Sequence, residues 1–539
     1  MIRRVHSILL LGTACAAVAA VPAAAQEQRQ RPEIHPYIEA SQVLSADLDG
    51  GDVLTYTSVA AGVDASIQSR RVQVQVNYRY EHRFSYDKDV GDDSIHSGLA
   101  RAAVIVAPGF SVEGGAIATR TRSDVRGSAP IPNGTSNANI AQIYSVYAGP
   151  TLSTNLGALN VNAGYRFGYT KAETPGSDAL LSGQPRLDLY DDSTVHSATA
   201  SIGVKSGTVL PVGLTASGAW EREDAGQLDQ RYEGKHVRGD VVLPVGRTLA
   251  LEAGVGYEKI EISQRGALRD ANGAPIADGA GRQQVDPASP RRLAYDVDGV
   301  FWDAGVIYRP DRRFMLEARV GRRYNSWSYT GSLQWQTGPG SGLQVGVYDS
   351  IDSFGRQLNS GIAALPTSFV AADDPFGNQY NGCVFGTVGS TSDGCLSSVF
   401  QSVSTANYRA RGVDAVYTYS RGRTTLGLGA GYANRRYIAP REGNFFTLDG
   451  LTDQSWYGQV FATRQVGRNT SVGGNLFASY YDSDLPGSEG VLSWGGNGSL
   501  THNWGRLGAT ATVGVYGFDA QQSDKDVAAQ ALLGLRYGF

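Results

Sequence analysis

Beyond its first 25 residues the chain holds no run of about 20 apolar residues, and its mean hydropathy is −0.24, so no bundle of membrane-crossing helices is encoded. Charged residues are only 18%, and the long 3.6-residue periods of Leu, Ala, Glu and Lys that mark soluble helical domains are missing. The histidines after the leader, His35, His82, His96, His196, His236 and His502, stand beside no nucleophile motif, and there is no G-x-S-x-G, H-E-x-x-H or Walker loop. An enzyme, a resident cofactor and a nucleic-acid partner are therefore not expected. Cysteine is down to three. Cys15 lies in the leader, where Gly12 occupies the position at which a lipoprotein box needs Leu or Val. Cys383 and Cys395 lie 12 apart in a Gly/Ser/Asp-rich stretch and read as a loop disulfide in an oxidising compartment, or else as two free thiols. No metal site is expected there, because no histidine is near and zinc normally takes four ligands.

The leader sets the compartment. Arg3 and Arg4 make a basic start, Ile8 to Val21 an apolar centre and Ala23-Ala24-Ala25 a small-residue cleavage site, so residues 1–25 are expected to be removed on export. Residues 26–33 read as a short polar periplasmic segment, too short for a domain. From residue 34 to 539, 67 glycines and 28 tyrosines fall among short alternating runs. That composition suits a transmembrane β-barrel, with an apolar outer band, aromatic girdles and a polar interior. The expected fold is all-β: a single antiparallel barrel with no plug domain.

Alternation is clearest where Val72, Val74, Val76, Tyr78 and Tyr80 oppose Gln73, Gln75, Asn77, Arg79 and Glu81. It recurs at Leu159–Phe167, Leu249–Tyr257 and Phe314–Val320, each time with charge on the face that lipid would reject. The last strand ends in the same way, with Leu533, Leu535, Tyr537 and Phe539 on one face. Short links, such as Ser69–Arg71 and Val466–Thr470, alternate with longer acidic or Gly/Pro-rich ones, such as Glu221–Gln230, Gln264–Arg291 and Ser353–Tyr408. Bacterial barrels have short periplasmic turns and longer outer loops. Counting back from Phe539 gives about 22 strands, within boundaries that allow 18–24, and one exceptional tight reversal near Asn325-Ser326. In strands 8, 9 and 18 either face fits outward. The 353–408 link reads as a long extracellular loop, or one that hides a hairpin or short helix.

Candidate lumen-lining residues are Arg79, Glu81, Arg101, Arg166, Glu252, Glu317, Arg319, Arg323 and Asp414, which would order water and select solutes by field and size. For any one of them, cross-bracing of neighbouring strands is the plainer role. The acidic clusters Asp47/Asp49/Asp52 and Asp87/Asp89/Asp92/Asp93 fall on outer links, either as solvated turns or as groups that share a divalent ion with lipopolysaccharide phosphates. Tyr78, Tyr80, Tyr165, Phe167, Trp302, Tyr308, Tyr417 and Tyr419 read as girdles, whereas Trp327, Tyr329 and Trp335 fit either a girdle or the lumen and outer rim.

The ending Leu533, Leu535, Tyr537, Phe539 resembles the C-terminal signal of Gram-negative outer-membrane barrels, which the barrel assembly machinery reads. Pro36–Leu48, Gly321–Gly331 and Tyr537–Phe539 together resemble the outer-membrane barrel porins of proteobacteria associated with exopolysaccharide systems. That resemblance spans nearly all of the chain after the leader and carries over no site residues. It implies an outer-membrane location, lipid and lipopolysaccharide as surroundings, and polysaccharide or export machinery as partners. A porin-like channel is the leading expectation. A surface barrel that binds partners through its long loops is the alternative, and an outer-membrane enzyme comes third. A plugged active transporter has the same strand count, but no globular N-terminal segment is available to plug it.

Overall fold

The alternating stretches all find partners. In a computed structural model, the structure describes residues 32–86, 92–124, 139–174, 188–271, 273–280, 282–371, 375–376, 382–386, 394–401, 403–441, 447–486, 488, 490–520 and 526–539. The first strands are β1 (Glu33–Asp47), β2 (Val53–Gln68), β3 (Val72–Ser85), β4 (Asp93–Ala107), β5 (Phe110–Arg122), β6 (Ile140–Leu156) and β7 (Leu159–Glu173). Next come β8 (Asp192–Val204), β9 (Gly213–Ala225), β10 (Gln230–Pro244), β11 (Leu249–Gln264), β12 (Arg292–Tyr308), β13 (Phe314–Arg323), β14 (Ser326–Gly338) and β15 (Ser341–Asp352). Helix α1 (Phe354–Ala364) and the short strands β16 (Phe369–Ala371), β17 (Cys383–Gly386) and β18 (Gly394–Cys395) follow. The last seven are β19 (Asn407–Arg421), β20 (Thr424–Ile438), β21 (Thr452–Gln465), β22 (Thr470–Ser483), β23 (Val491–Trp504), β24 (Leu507–Ala520) and β25 (Asp526–Gly538).

β1–β15 and β19–β25 form one 22-stranded antiparallel sheet in which each strand pairs with the next, β15 pairs with β19, and β1 closes the ring on β25. The closing register runs from Tyr37↔Gly538 to Asp47↔Ala528, and the Phe539 amide donates to the Pro36 carbonyl at 3.0 Å. Closure gives every strand of the ring two neighbours, so the sheet has no edge strand, the condition for a sheet to sit in hydrocarbon. The strand number is the one counted from the sequence, and the short links bracket the observed hairpins to within two or three residues. The exceptional reversal is real. Tyr324 and Asn325 both adopt left-handed φ, 52° and 56°, as a two-residue primed hairpin turn requires. β13 pairs β12 only from Trp302↔Arg322 to Tyr308↔Leu316, so past this short hairpin β12 continues paired with β11 on one side only.

Outward faces are apolar. Val300 and Leu533 are the most exposed examples at 71% and 69%, and Leu535, Tyr537 and Phe539 share that side. Tyr78, Tyr80, Tyr165, Phe167, Trp302 and Tyr308 are exposed there too. Trp327, Tyr329 and Trp335 also lie on the outside, which excludes the lumen for them. Their register decides it, since Tyr329 faces Val320 and Trp335 faces Phe314, both on the outward set of β13.

Three expectations are adjusted. β9 continues to Ala225, so Glu221 and Glu223 are strand residues and not part of a long link from Glu221 to Gln230. Asp93 is drawn out of its acidic cluster by a two-pronged ion pair with Arg120, at 2.5 and 2.8 Å. The segment between β15 and β19, expected as an extracellular loop over an unplugged lumen, folds instead into the barrel interior. The leader 1–25, the segment 26–31, Asp87 and Asp89 lie outside the described residues.

Candidate functional site

The inserted segment, Ser353–Ala406, begins with a helix that the sequence dictates locally. Ser353 caps it by accepting the Arg356 amide at 3.2 Å, and Phe354, Leu358 and Ile362 recur every four residues on one face. All three are fully buried, each worth roughly 1.5–3 kcal/mol if left in water instead. They pack on Leu99, Ile117, Ile143 and Tyr147, which face inward from β4, β5 and β6. An apolar stripe of this kind has no place on a solvated loop. The inner wall offers it a matching apolar surface, and this is why the segment turns inward.

Polar groups then fix its position. Arg356 donates to Glu223 at 3.1 Å, Glu221 at 3.4 Å and Asn407 at 3.0 Å, and its guanidinium lies 3.4 Å from the centre of the Tyr232 ring. Ser353 donates to the same Glu223 carboxylate at 2.5 Å. At the far end of α1, Arg101 donates to the carbonyls of Ala363 and Leu365, both at 3.0 Å. A cation there meets the negative end of the helix and satisfies carbonyls the helix leaves free. Asn359 donates to Thr170 at 2.8 Å, over Gly168, where a Cβ would stand 2.1 Å from the Asn359 carbonyl oxygen.

Beyond the helix the segment traverses the lumen. Gln73 accepts from Thr367 at 2.9 Å, Gln75 exchanges two 2.8 Å bonds with the backbone of Phe369, and Arg83 donates to the Phe376 carbonyl at 2.9 Å. Gln73 and Arg83 are ten residues apart on one strand, roughly 33 Å at strand rise, so the segment reaches from the long-loop end nearly to the short-turn end. On the opposite wall the Cys383 amide donates to Gln459 at 2.9 Å, the Phe385 and Phe461 rings lie 4.8 Å apart, and Arg435 donates to the carbonyls of Ser398 and Val399. Cys383 is disulfide-bonded to Cys395, joining β17 to β18 inside the barrel.

At the long-loop end Asp188 ties three segments together. Its carboxylate accepts from Gln227 at 2.6 Å and from the Gln283 amide at 2.8 Å, while its carbonyl accepts from the Thr405 amide at 3.2 Å. Burial pushes this carboxyl up to about 7.

The wall of β10–β13 carries an ion-pair network among its own side chains. Arg238 pairs with Asp240 at 2.6 Å and with Asp303 at 2.5 Å; Arg319 pairs with Glu252 at 2.6 Å, Glu317 at 3.0 Å, Asp240 at 3.2 Å and Asp303 at 3.3 Å. Glycines make room for it, since a Cβ on Gly254 would meet Arg238 and one on Gly305 would meet Arg319.

Most sequence-predicted residues face the lumen, in distinct settings. Arg79 braces Glu39 and Glu81, Glu81 also holds Arg83, and Arg323 pairs with Glu258 at 2.6 Å. Arg166 stacks 5.2 Å from the Tyr147 ring, and Asp414 accepts from the Tyr457 hydroxyl. Glu252, Glu317 and Arg319 meet in one network, whereas Arg101 belongs to the helix dock. Sequence reasoning missed Arg356, Glu221, Glu223, Arg435, Arg238, Asp240 and Asp303. Arg238 and Asp240 were findable, because they alternate with the outward Val237 and Val241. Among the described residues no group of three or more His, Cys, Asp and Glu is placed to hold a metal ion.

No known protein family and no curated protein matches the chain. Solved structures it resembles include the FrpB iron transporter from Neisseria meningitidis (F5-1 variant), at 9% identity and a TM-score of 0.44, over 94% of this chain and 82% of that one. The ferric-catecholate import receptor Fiu from E. coli K12, in its open form, has 9% identity, a TM-score of 0.45 and coverage of 93% and 81%. The siderophore receptor PirA from Acinetobacter baumannii has 9% identity, a TM-score of 0.40 and coverage of 94% and 80%. Likeness at this level carries no function across.

Proposed function

We propose that this chain is an outer-membrane channel for hydrophilic solutes, narrowed from within by the Ser353–Ala406 segment. The edgeless ring, the apolar outward faces and the exposed aromatics on them support the membrane placement. Lipid and lipopolysaccharide would surround that belt, and the barrel assembly machinery would engage Leu533, Leu535, Tyr537 and Phe539. The observation that carries the channel reading is the unequal filling of the lumen. On the walls that hold the insert, a Cβ on Gly115 would collide with Ile362 and one on Gly429 with Cys383. On the inner faces of β12 and β15, a Cβ on Gly299 or Gly346 would meet no atom of the described residues within 4 Å. A passage therefore runs past the insert on the β12–β15 side. The finer reading, a polysaccharide as the solute, is supported only by the resemblance of Pro36–Leu48, Gly321–Gly331 and Tyr537–Phe539.

The test is conductance in planar bilayers. Asp352 and Tyr408 are register partners on adjacent strands, so Phe354–Ala406 can be replaced by a short Gly/Ser turn without breaking the ring. The purified protein should conduct, and the shortened one should conduct several-fold more. A non-conducting barrel in both forms would sink the channel reading. Loss of polysaccharide secretion on deleting the gene, restored by the intact chain, checks the finer reading.

A further inference from the structure

Given the channel reading, on which this step rests, the wall of the open passage determines which ions it admits. The inner faces of β10–β13, together with Asp414 on β19 opposite Gly346, hold six carboxylates, Asp240, Glu252, Glu258, Asp303, Glu317 and Asp414. Against them stand three guanidiniums, Arg238, Arg319 and Arg323. The acids outnumber the bases two to one, and the excess is not dispersed. Arg238 and Arg319 are shared among Asp240, Asp303, Glu252 and Glu317, so neither is free to neutralise another charge. Asp414 is held by a neutral phenol, that of Tyr457.

A second observation points the same way. Glu252 is only 4% exposed, one of its oxygens binds Arg319, and the other is buried beside Gly305 with no hydrogen-bond partner among the described residues. A buried carboxylate oxygen left without a donor is costly, and a cation or a solute ammonium beside it would relieve that cost. The insert adds no surplus of positive charge to this wall. Its sole basic residue between Ser353 and Ala406 is Arg356, which lies over the Tyr232 ring of β10 and is matched by Glu221 and Glu223 on the neighbouring strand β9.

We infer that the β10–β13 wall with Asp414 is a cation-selecting strip, and that Asp240, Glu252, Asp303, Glu317 and Asp414 set the preference of the passage for positively charged solutes. A low-dielectric wall with net negative charge raises the local concentration of cations and repels anions.

The test is the reversal potential under a KCl gradient, measured on the intact protein in neutral lipid bilayers. Potassium should permeate several-fold better than chloride, and Glu317→Gln, the most exposed member of the network, should lower that ratio. Asp414→Asn, on a different strand, is the second variant in case the first disturbs folding. Conductance without cation preference overturns the inference while the channel reading stands. Cation preference that neither substitution moves overturns the assignment to this wall. No conductance from either the intact or the shortened barrel overturns both.

Discussion

Removing the Arg356 side chain tests whether the insert is held by its charges or only by its apolar stripe. Arg356→Ala leaves Glu221 and Glu223 facing each other in the interior with the cation gone, while Ser353 and Asn407 lose a partner. Breaking a buried ion pair by deleting one partner costs about 3–5 kcal/mol, because the remaining charge stays desolvated. That cost falls on the docked state alone, since in the undocked state water reaches the two carboxylates. At about 1.4 kcal/mol per tenfold, the undocked population rises by a factor between about 10² and about 4 × 10³. Hydrogen exchange by mass spectrometry reads this directly. Amides of residues 354–364 should exchange faster by that factor, while those of β10–β13 stay protected. Adding Glu223→Gln to Arg356→Ala should restore part of the protection, because it removes one of the two stranded charges. If the helix amides of Arg356→Ala exchange as in the parent, or if the double variant is worse than the single, the latch does not exist as described.

Two further outcomes follow from the mouth and the disulfide. Asp188 has its carboxyl raised by burial from an ordinary 3.8 to about 7, with Asp278 adding to the rise and Arg282 opposing it, so the packed state holds its proton more tightly than the open state. The stability this contributes is full below about pH 4 and is lost as pH climbs to 7, by up to about 4 kcal/mol for a shift of this size. Protection of residues 188–190 and 282–285 should therefore fall between pH 4 and 7, and Asp188→Asn should flatten that dependence; an unchanged slope in the variant refutes it. Replacing Cys383 and Cys395 by serine frees a link spanning 12 residues, with an expected loss near 3 kcal/mol from chain entropy. Faster exchange should be confined to the small inner sheet β16–β18, and a collapse of the whole ring would contradict the view that the insert rides on an independent barrel.

The barrel was legible because lipid imposes one rule on every strand: the outward face is apolar whatever the neighbours do. The inward face obeys no such rule, and there the sequence misleads. Strand 8 places Val195 inward and strand 18, here β21, places Tyr457 and Phe461 inward, which is why either face fitted outward in the sequence. These residues are apolar because they meet protein: Phe461 packs on Phe385. Ambiguity of face was therefore itself a signal of a filled lumen, readable only if a barrel interior is allowed to hold something other than water. The helix was also half legible, with Ser353 followed by Phe354, Leu358 and Ile362 at helical spacing. What no spacing reveals is the wall it meets. Arg356 and Glu223 are 133 residues apart, and Arg101 lies over 260 residues before the carbonyls it caps. Arg101 was correctly read as facing inward, yet its partners exist only once the ring has closed and the insert has entered it. On this fold a charged residue's face follows from the alternation of its own strand, while its role follows from a segment elsewhere in the chain.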